Sequence, residues 1–213
     1  MSKINELLTP FSTPIHITKF EEDIIKEFDF VKNLEYAANG QKKEGQLGVG
    51  NGNFKSSRTD VLKSPELERV KDFIQKSLNY YTDVILQSTQ RVRPVLSWTN
   101  KNPQGAKHHQ HIHPNSIISG VFYFSTTESS PIQFHKTDSW GLKLDSKKWN
   151  NFNGESIYVP ISSGELVLFP SSTRHSVPKN ESTAVRYSLS FNTFTETGEL
   201  GSKEQLTYLD TKE

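Results

Sequence analysis

Cysteine is absent from the 213 residues. Neither a disulfide framework nor a thiolate metal site can therefore be built, and any metal must rest on His, Asp or Glu. Long apolar runs are missing as well. Nowhere do roughly 18 consecutive apolar residues occur, so no membrane-spanning helix is expected. The N-terminal stretch MSKINELLTPFSTPIHITKF lacks the apolar core and the small-residue cleavage pattern of a secretory signal. Nor is charge of one sign concentrated: 25 Lys and Arg stand against 24 Asp and Glu, dispersed along the chain, for a net charge of +1. That balance argues against duplex nucleic acid or an anionic membrane as a partner. The expectation is a soluble, cytoplasmic protein without a nucleic-acid partner, its oligomeric state left open.

Aromatic residues, by contrast, are plentiful, with thirteen Phe, seven Tyr and three Trp. They predict a packed globular protein, and the length suits one domain over 1–213. Two segments carry helical spacing. In 20–37, Ile24, Ile25, Phe28, Val31, Leu34 and Ala37 recur at threes and fours. In 64–86, Ser64 and Pro65 form a cap and first turn before Leu67, Val70, Phe73, Ile74, Leu78, Tyr81 and Val84. The stretch 40–58 between them, rich in Gly, Asn and Lys, reads as a flexible loop. From residue 91 the chain becomes a series of short β-branched and aromatic runs broken by Gly, Pro, Asn and Ser. Helices followed by strands predict a mainly β, α+β layout with an antiparallel sandwich or barrel.

Four of the seven histidines fall within HHQHIH, as His108, His109, His111 and His113. In an extended strand alternate side chains share a face, so His111 and His113 can bind one ion from a single strand. His108 and His109 are expected nearer the solvent-facing mouth. A third ligand must come from elsewhere. His175 is the best candidate, because the buried-looking run ELVLF leads through Pro170 and a short polar turn to it. His16 and His135 read as ordinary surface or core histidines.

In TAVRYSLSFNTF, Arg186, Ser188, Ser190 and Asn192 alternate with Tyr187, Leu189, Phe191 and Thr193. A strand following an inward ligand should turn its polar face inward too. An inward Arg186 is costly unless it meets an anion. Its guanidinium fork, beside the Ser188 hydroxyl, suits a carboxylate. The alternative is an exposed Arg on an edge strand.

The order HxH, distal His, RxS resembles the 2-oxoglutarate/Fe(II)-dependent oxygenase superfamily, and more narrowly its small bacterial and phage members. FSTPIHITKF, SWTN at 97–100, HIHPNSIISGVFYF at 111–124 and the region 164–192 carry the resemblance. It implies a double-stranded β-helix, a cupin-like jelly roll supported by N-terminal helices. It implies Fe(II) held by His111, His113 and His175, and 2-oxoglutarate whose far carboxylate pairs with Arg186 and Ser188. Tyr123 shares the parity of His113 and is expected to reach the cosubstrate, with Asn192 and Trp98 as further lining. The implied reaction couples oxidative decarboxylation of 2-oxoglutarate to hydroxylation of a small-molecule or peptide substrate. One departure stands out: most of the superfamily has Asp or Glu where this chain has His113.

Two other readings use the same residues. GELVLFPSSTRHSVPKN is similar to the second cupin motif, but the Glu a cupin needs shortly after HxH is missing until Glu128. A non-enzymatic jelly roll would leave the histidines as an incidental loop. The polar run 136–154, with Trp140, Trp149 and Phe152, reads either as a lid over the site or as a surface insertion.

Overall fold

The computed structural model describes residues 9, 12–38, 52–127, 131–137, 145–201 and 207–208. Two antiparallel sheets face each other in a jelly roll, with helices against the outer face of the larger one. In chain order the elements begin with β1 (His16–Lys19), α1 (Ile25–Lys32), β2 (Tyr36–Ala38), β3 (Phe54–Ser56) and α2 (Glu68–Tyr80). Then come β4 (Val92–Asn102), β5 (His108–His111), β6 (Ile118–Ser125), β7 (Ile132–His135) and β8 (Ser156–Val159). The last are β9 (Glu165–Pro170), β10 (His175–Val177), β11 (Arg186–Thr195), β12 (Glu199–Leu200) and β13 (Thr207–Tyr208). The larger sheet runs β1-β9-β6-β11-β4-β3-β2, the smaller β5-β10-β7-β8, and β12 with β13 forms a separate ribbon.

Strand alternation sorts the core into two layers. Phe122, Phe124, Leu166, Leu168, Leu189 and Phe191 point from the large sheet toward the helices, where Val31, Val70, Ile74 and Leu78 meet them. Their neighbours of opposite parity, Tyr123, Val167 and Phe169, point into the space between the sheets with Ile132, Phe134 and Ile161. β11 shows the consequence most clearly. Its apolar residues serve the helix layer, which leaves Arg186, Ser188 and Ser190 facing the interior of the jelly roll.

Gly120 in β6 is required by this packing. A Cβ there would lie 2.2 Å from Cζ of Phe191 and 2.8 Å from Cδ2 of Leu168, both buried. Gly120→Ala is therefore expected to destabilise the fold by about 1–3 kcal/mol through overpacking. The urea midpoint measures it, and an unchanged midpoint would contradict the packing described.

The helical reading over 20–37 extends too far. Phe20 lies just beyond β1, the α-helix stops at Lys32, and Tyr36–Ala38 turn into an edge strand paired with β3. The second helix matches more closely: a 3₁₀ turn over Pro65–Leu67 leads into α2, and a π-helical turn over Tyr81–Ile85 closes it. The loop reading of 40–58 fails at its end, where Phe54–Ser56 join the large sheet; residues 40–51 lie outside the described residues. Among the described residues no helix is long and apolar enough to cross a membrane.

Candidate active site

The smaller sheet brings the distal histidine to the first pair. His175 opens β10 and its Cα stands opposite that of His111 at the end of β5. Regular strand structure ends at His111, so His113 lies in the following turn rather than on the strand. A hydrogen bond from the His113 backbone N–H to the Ser171 carbonyl (3.0 Å) fixes it there, and Asn115 takes a left-handed φ of 60° as the chain reverses. One donor nitrogen from each of His111, His113 and His175 lies within 4.8 Å of the others.

Hydrogen bonding sets the tautomers. His111 Nδ1–H donates to the His109 carbonyl at 2.7 Å, and His175 Nδ1–H donates to the Thr173 carbonyl at 2.9 Å. A carbonyl can only accept, so in both neutral rings Nε2 keeps its lone pair. His113 Nε2 stands 3.2 Å from His175 Nε2. Two nitrogens each about 2.1 Å from one ion, at an angle between octahedral and tetrahedral, lie roughly 3.0–3.4 Å apart. Burial favours the neutral, ligating form. It pushes the His113 imidazole down to about 3, with His175, His111 and Lys55 adding to the effect. His175 is pushed down to about 4, mainly by burial, and His111 is lowered for the same reason. These three imidazoles fit a divalent transition metal.

Arg186 opens β11 and is 2% exposed. Its guanidinium stacks 4.9 Å from the centre of the Tyr123 ring. Yet among the described residues its Nε and Nη1 have no hydrogen-bond partner. Burial lowers the Arg186 pKa and raises that of Tyr123. Orphaned buried donors on a cation are costly, and a bound carboxylate is the group that satisfies them. Ser188, also buried, stands opposite Tyr123 across β11 and β6 and lines the same cavity of about 220 Å³.

The structure therefore brings together six of the seven expected site residues: the three histidines, Arg186, Ser188 and Tyr123. Asn192 is placed elsewhere. The cavity lining along β11 ends at Ser190, and the Asn192 carboxamide oxygen accepts a hydrogen bond from Ser119 Oγ at 3.0 Å. Trp98 does line the cavity, its ring 5.8 Å from that of His113. His109 is exposed at the rim as expected, but His108 is not at the mouth. Its Nε2 sits 3.0 Å from Asn102 Oδ1 inside the cavity, and burial, then the nearby Arg186 charge, pushes it down to about 3. The cause is an extra residue in β5. Positions 108 and 111 face 177 and 175 of β10, three steps against two, and such a bulge reverses strand parity.

Lys55, Asn100 and Asn102 also line the cavity and were missed. Ser190, expected on the inward polar face of β11 with Arg186 and Ser188, lines it too. Trp149 and Phe152 are exposed and do not line the cavity, while Trp140 lies outside the described residues.

Comparison with known proteins agrees with this geometry. The profile of the family described as "Putative 2OG-Fe(II) oxygenase" matches residues 96–192, which span β4 to β11 and hold the histidine triad and Arg186. This segment belongs to the 2OG-Fe(II) oxygenases. No curated protein matches the sequence. Among solved structures, the non-heme alpha ketoglutarate dependent epimerase SnoN from nogalamycin biosynthesis is similar at a TM-score of 0.60 and 13% identity, over 86% of this chain and 79% of its own. HygX from Streptomyces hygroscopicus, crystallised with nickel, 2-oxoglutarate and hygromycin B, is similar at 0.57 and 11% identity, over 85% of this chain and 82% of its own. A prolyl-4-hydroxylase from Pseudomonas putida reaches 0.53 at 13% identity, over 85% and 93%. The oxygenase segment thus sits in a fold shared along most of the chain.

Proposed function

We propose that this oxygenase is a hydroxylase, formed as one domain over the whole chain, that uses Fe(II) and 2-oxoglutarate to oxidise a small-molecule or peptide substrate. His111, His113 and His175 would hold the iron; Arg186, Ser188 and Tyr123 would hold the far carboxylate of 2-oxoglutarate. The observation that carries the reading is the buried Arg186 guanidinium, two of whose nitrogens have no hydrogen-bond partner among the described residues, in one cavity with three converging imidazoles. A cupin has no need of that arginine, and a structural jelly roll has no reason to bury it.

When bound, the iron with 2-oxoglutarate supplies the oxidative decarboxylation and C–H oxidation that no side chain here can perform. The chain's own residues bind and orient. The carbonyls of His109 and Thr173 hold the His111 and His175 rings with Nε2 turned away from the backbone. Arg186 and Tyr123 fix the cosubstrate by its remote end, which sets the position of its reactive end. Phe169 and Phe134 pack against the His175 ring at 4.7 and 6.4 Å, shielding one side of the triad from water. Calorimetric titration of the Ni(II)-loaded protein with 2-oxoglutarate tests this. One equivalent should bind, with no binding to metal-free protein. A loaded protein that takes up no 2-oxoglutarate would sink the reading.

A further inference from the structure

Lys55 stands apart from the residues that would hold the metal and the far carboxylate of 2-oxoglutarate. It sits on β3, opposite Asn100 of β4, and its Nζ lies 4.5 Å from the centre of the Trp98 ring. That ring leans against His113. The side chain is half-buried in the wall of the cavity, and burial lowers its pKa. Among the described residues neither Lys55 nor Arg186 takes part in an ion pair. The two cations occupy different parts of the site. β3 and β11 are separated by β4, so their backbones stand roughly 10 Å apart at about 4.8 Å per strand. The charge of Lys55 bears on His113, whereas that of Arg186 bears on His108.

Among the described residues, those lining the cavity include no Asp and no Glu. The triad is made of three imidazoles and contributes no negative charge either. Iron brings two positive charges, and Arg186 and Lys55 one each. The dianion of 2-oxoglutarate cancels half of these four. An uncompensated charge in a low-dielectric cavity is expensive, and Lys55 carries one of the charges still unbalanced. A cavity of about 220 Å³ is also small beside the ~300–1,000 Å³ usual for ligand sites. Metal and cosubstrate would take much of it, so a substrate presents one end there.

Resting on the oxygenase reading, we infer that the substrate is an anion, with a carboxylate, phosphate or sulfate group held by Lys55 beside the Trp98 face. Lys55 is then a specificity-determining residue: it selects charge next to the carbon to be oxidised, while Trp98 favours a flat or apolar body attached to it.

The test uses Zn(II)-loaded protein saturated with 2-oxoglutarate, and benzenesulfonate as probe, a permanent anion that coordinates metals poorly. Ligand-observed NMR gives its affinity, with neutral benzyl alcohol as comparison. Benzenesulfonate should bind wild type at least tenfold more tightly than benzyl alcohol. Lys55→Gln should remove that preference, while 2-oxoglutarate affinity changes less than twofold. Equal binding of the two probes to wild type, or an unaltered preference in Lys55→Gln, would overturn the inference. So would a tenfold loss of 2-oxoglutarate affinity in the variant, which would assign Lys55 to the cosubstrate. If wild type binds no 2-oxoglutarate at all, it is the oxygenase reading that fails. The contrast between wild type and Lys55→Gln is then read on metal-free protein, where a retained preference for the sulfonate in the variant would still overturn the role of Lys55.

Discussion

Arg186→Met is expected to make the ligand-free protein more stable and, in the same variant, to abolish useful binding of 2-oxoglutarate. The two effects share one cause. Arg186 is fully enclosed, and two of its guanidinium nitrogens have no partner, so the ligand-free fold carries an unbalanced buried charge. Replacing it with an apolar side chain of similar length removes that cost, and gains on the order of 1–4 kcal/mol are known when buried charges are so replaced. Contact with the Tyr123 ring would retain part of the packing. Binding moves in the opposite direction, because the carboxylate then enters a dry cavity without its counter-charge. Losing one partner of a buried charge pair costs about 2–5 kcal/mol, or roughly 30- to 5,000-fold in affinity. Urea unfolding reads the first effect and calorimetry on Ni(II)-loaded protein the second. A variant that is less stable and still binds 2-oxoglutarate within threefold of wild type would show that Arg186 is a structural residue.

His175→Ala should remove the stabilisation that a divalent metal confers. His175 is the residue that ties the triad together: its ring centre lies 4.4 Å from that of His111 and 5.0 Å from that of His113. Without it, two imidazoles at the end of β5 and in the following turn are left, too few to hold the ion. A ligand at a hundred times its dissociation constant stabilises a fold by roughly 2.7 kcal/mol. For a chain of this length each kcal/mol corresponds to about 2–4 °C in the melting midpoint. Ni(II) should therefore raise the wild-type midpoint by about 5–11 °C and leave that of His175→Ala unmoved. His16→Ala, on β1 against Tyr80 and away from the cavity, should keep the full shift. An equal shift in His175→Ala would place the metal elsewhere.

What could be read from the sequence follows the period of two. Arg186, Ser188 and Ser190 share a face of β11 because strand alternation is strict there, and the apolar residues between them announce which layer they serve. The HxH pair and His175 were legible for a different reason. Imidazoles so crowded, followed by a further histidine at the start of a strand, have few structural uses. Alternation does not tell how far a cavity reaches along a strand, and Asn192 was expected inside for that reason. Its carboxamide instead belongs to the contacts with Ser119. A bulge is equally silent in sequence, which is why His108 was expected at the mouth. Lys55 was hidden most deeply. Phe54–Ser56 is a three-residue strand whose extended form is imposed by pairing with β4 on one side and β2 on the other, not by its own composition, amid glycines and asparagines that read as loop.

The most direct test of the central claim is anaerobic titration of the Fe(II)-loaded protein with 2-oxoglutarate, watched in the visible for the weak charge-transfer band of the chelate. The account predicts a band that saturates at one equivalent in wild type and is missing from both His175→Ala and Arg186→Ala. Iron bound in full by wild type, with no band at any concentration of 2-oxoglutarate, would contradict it.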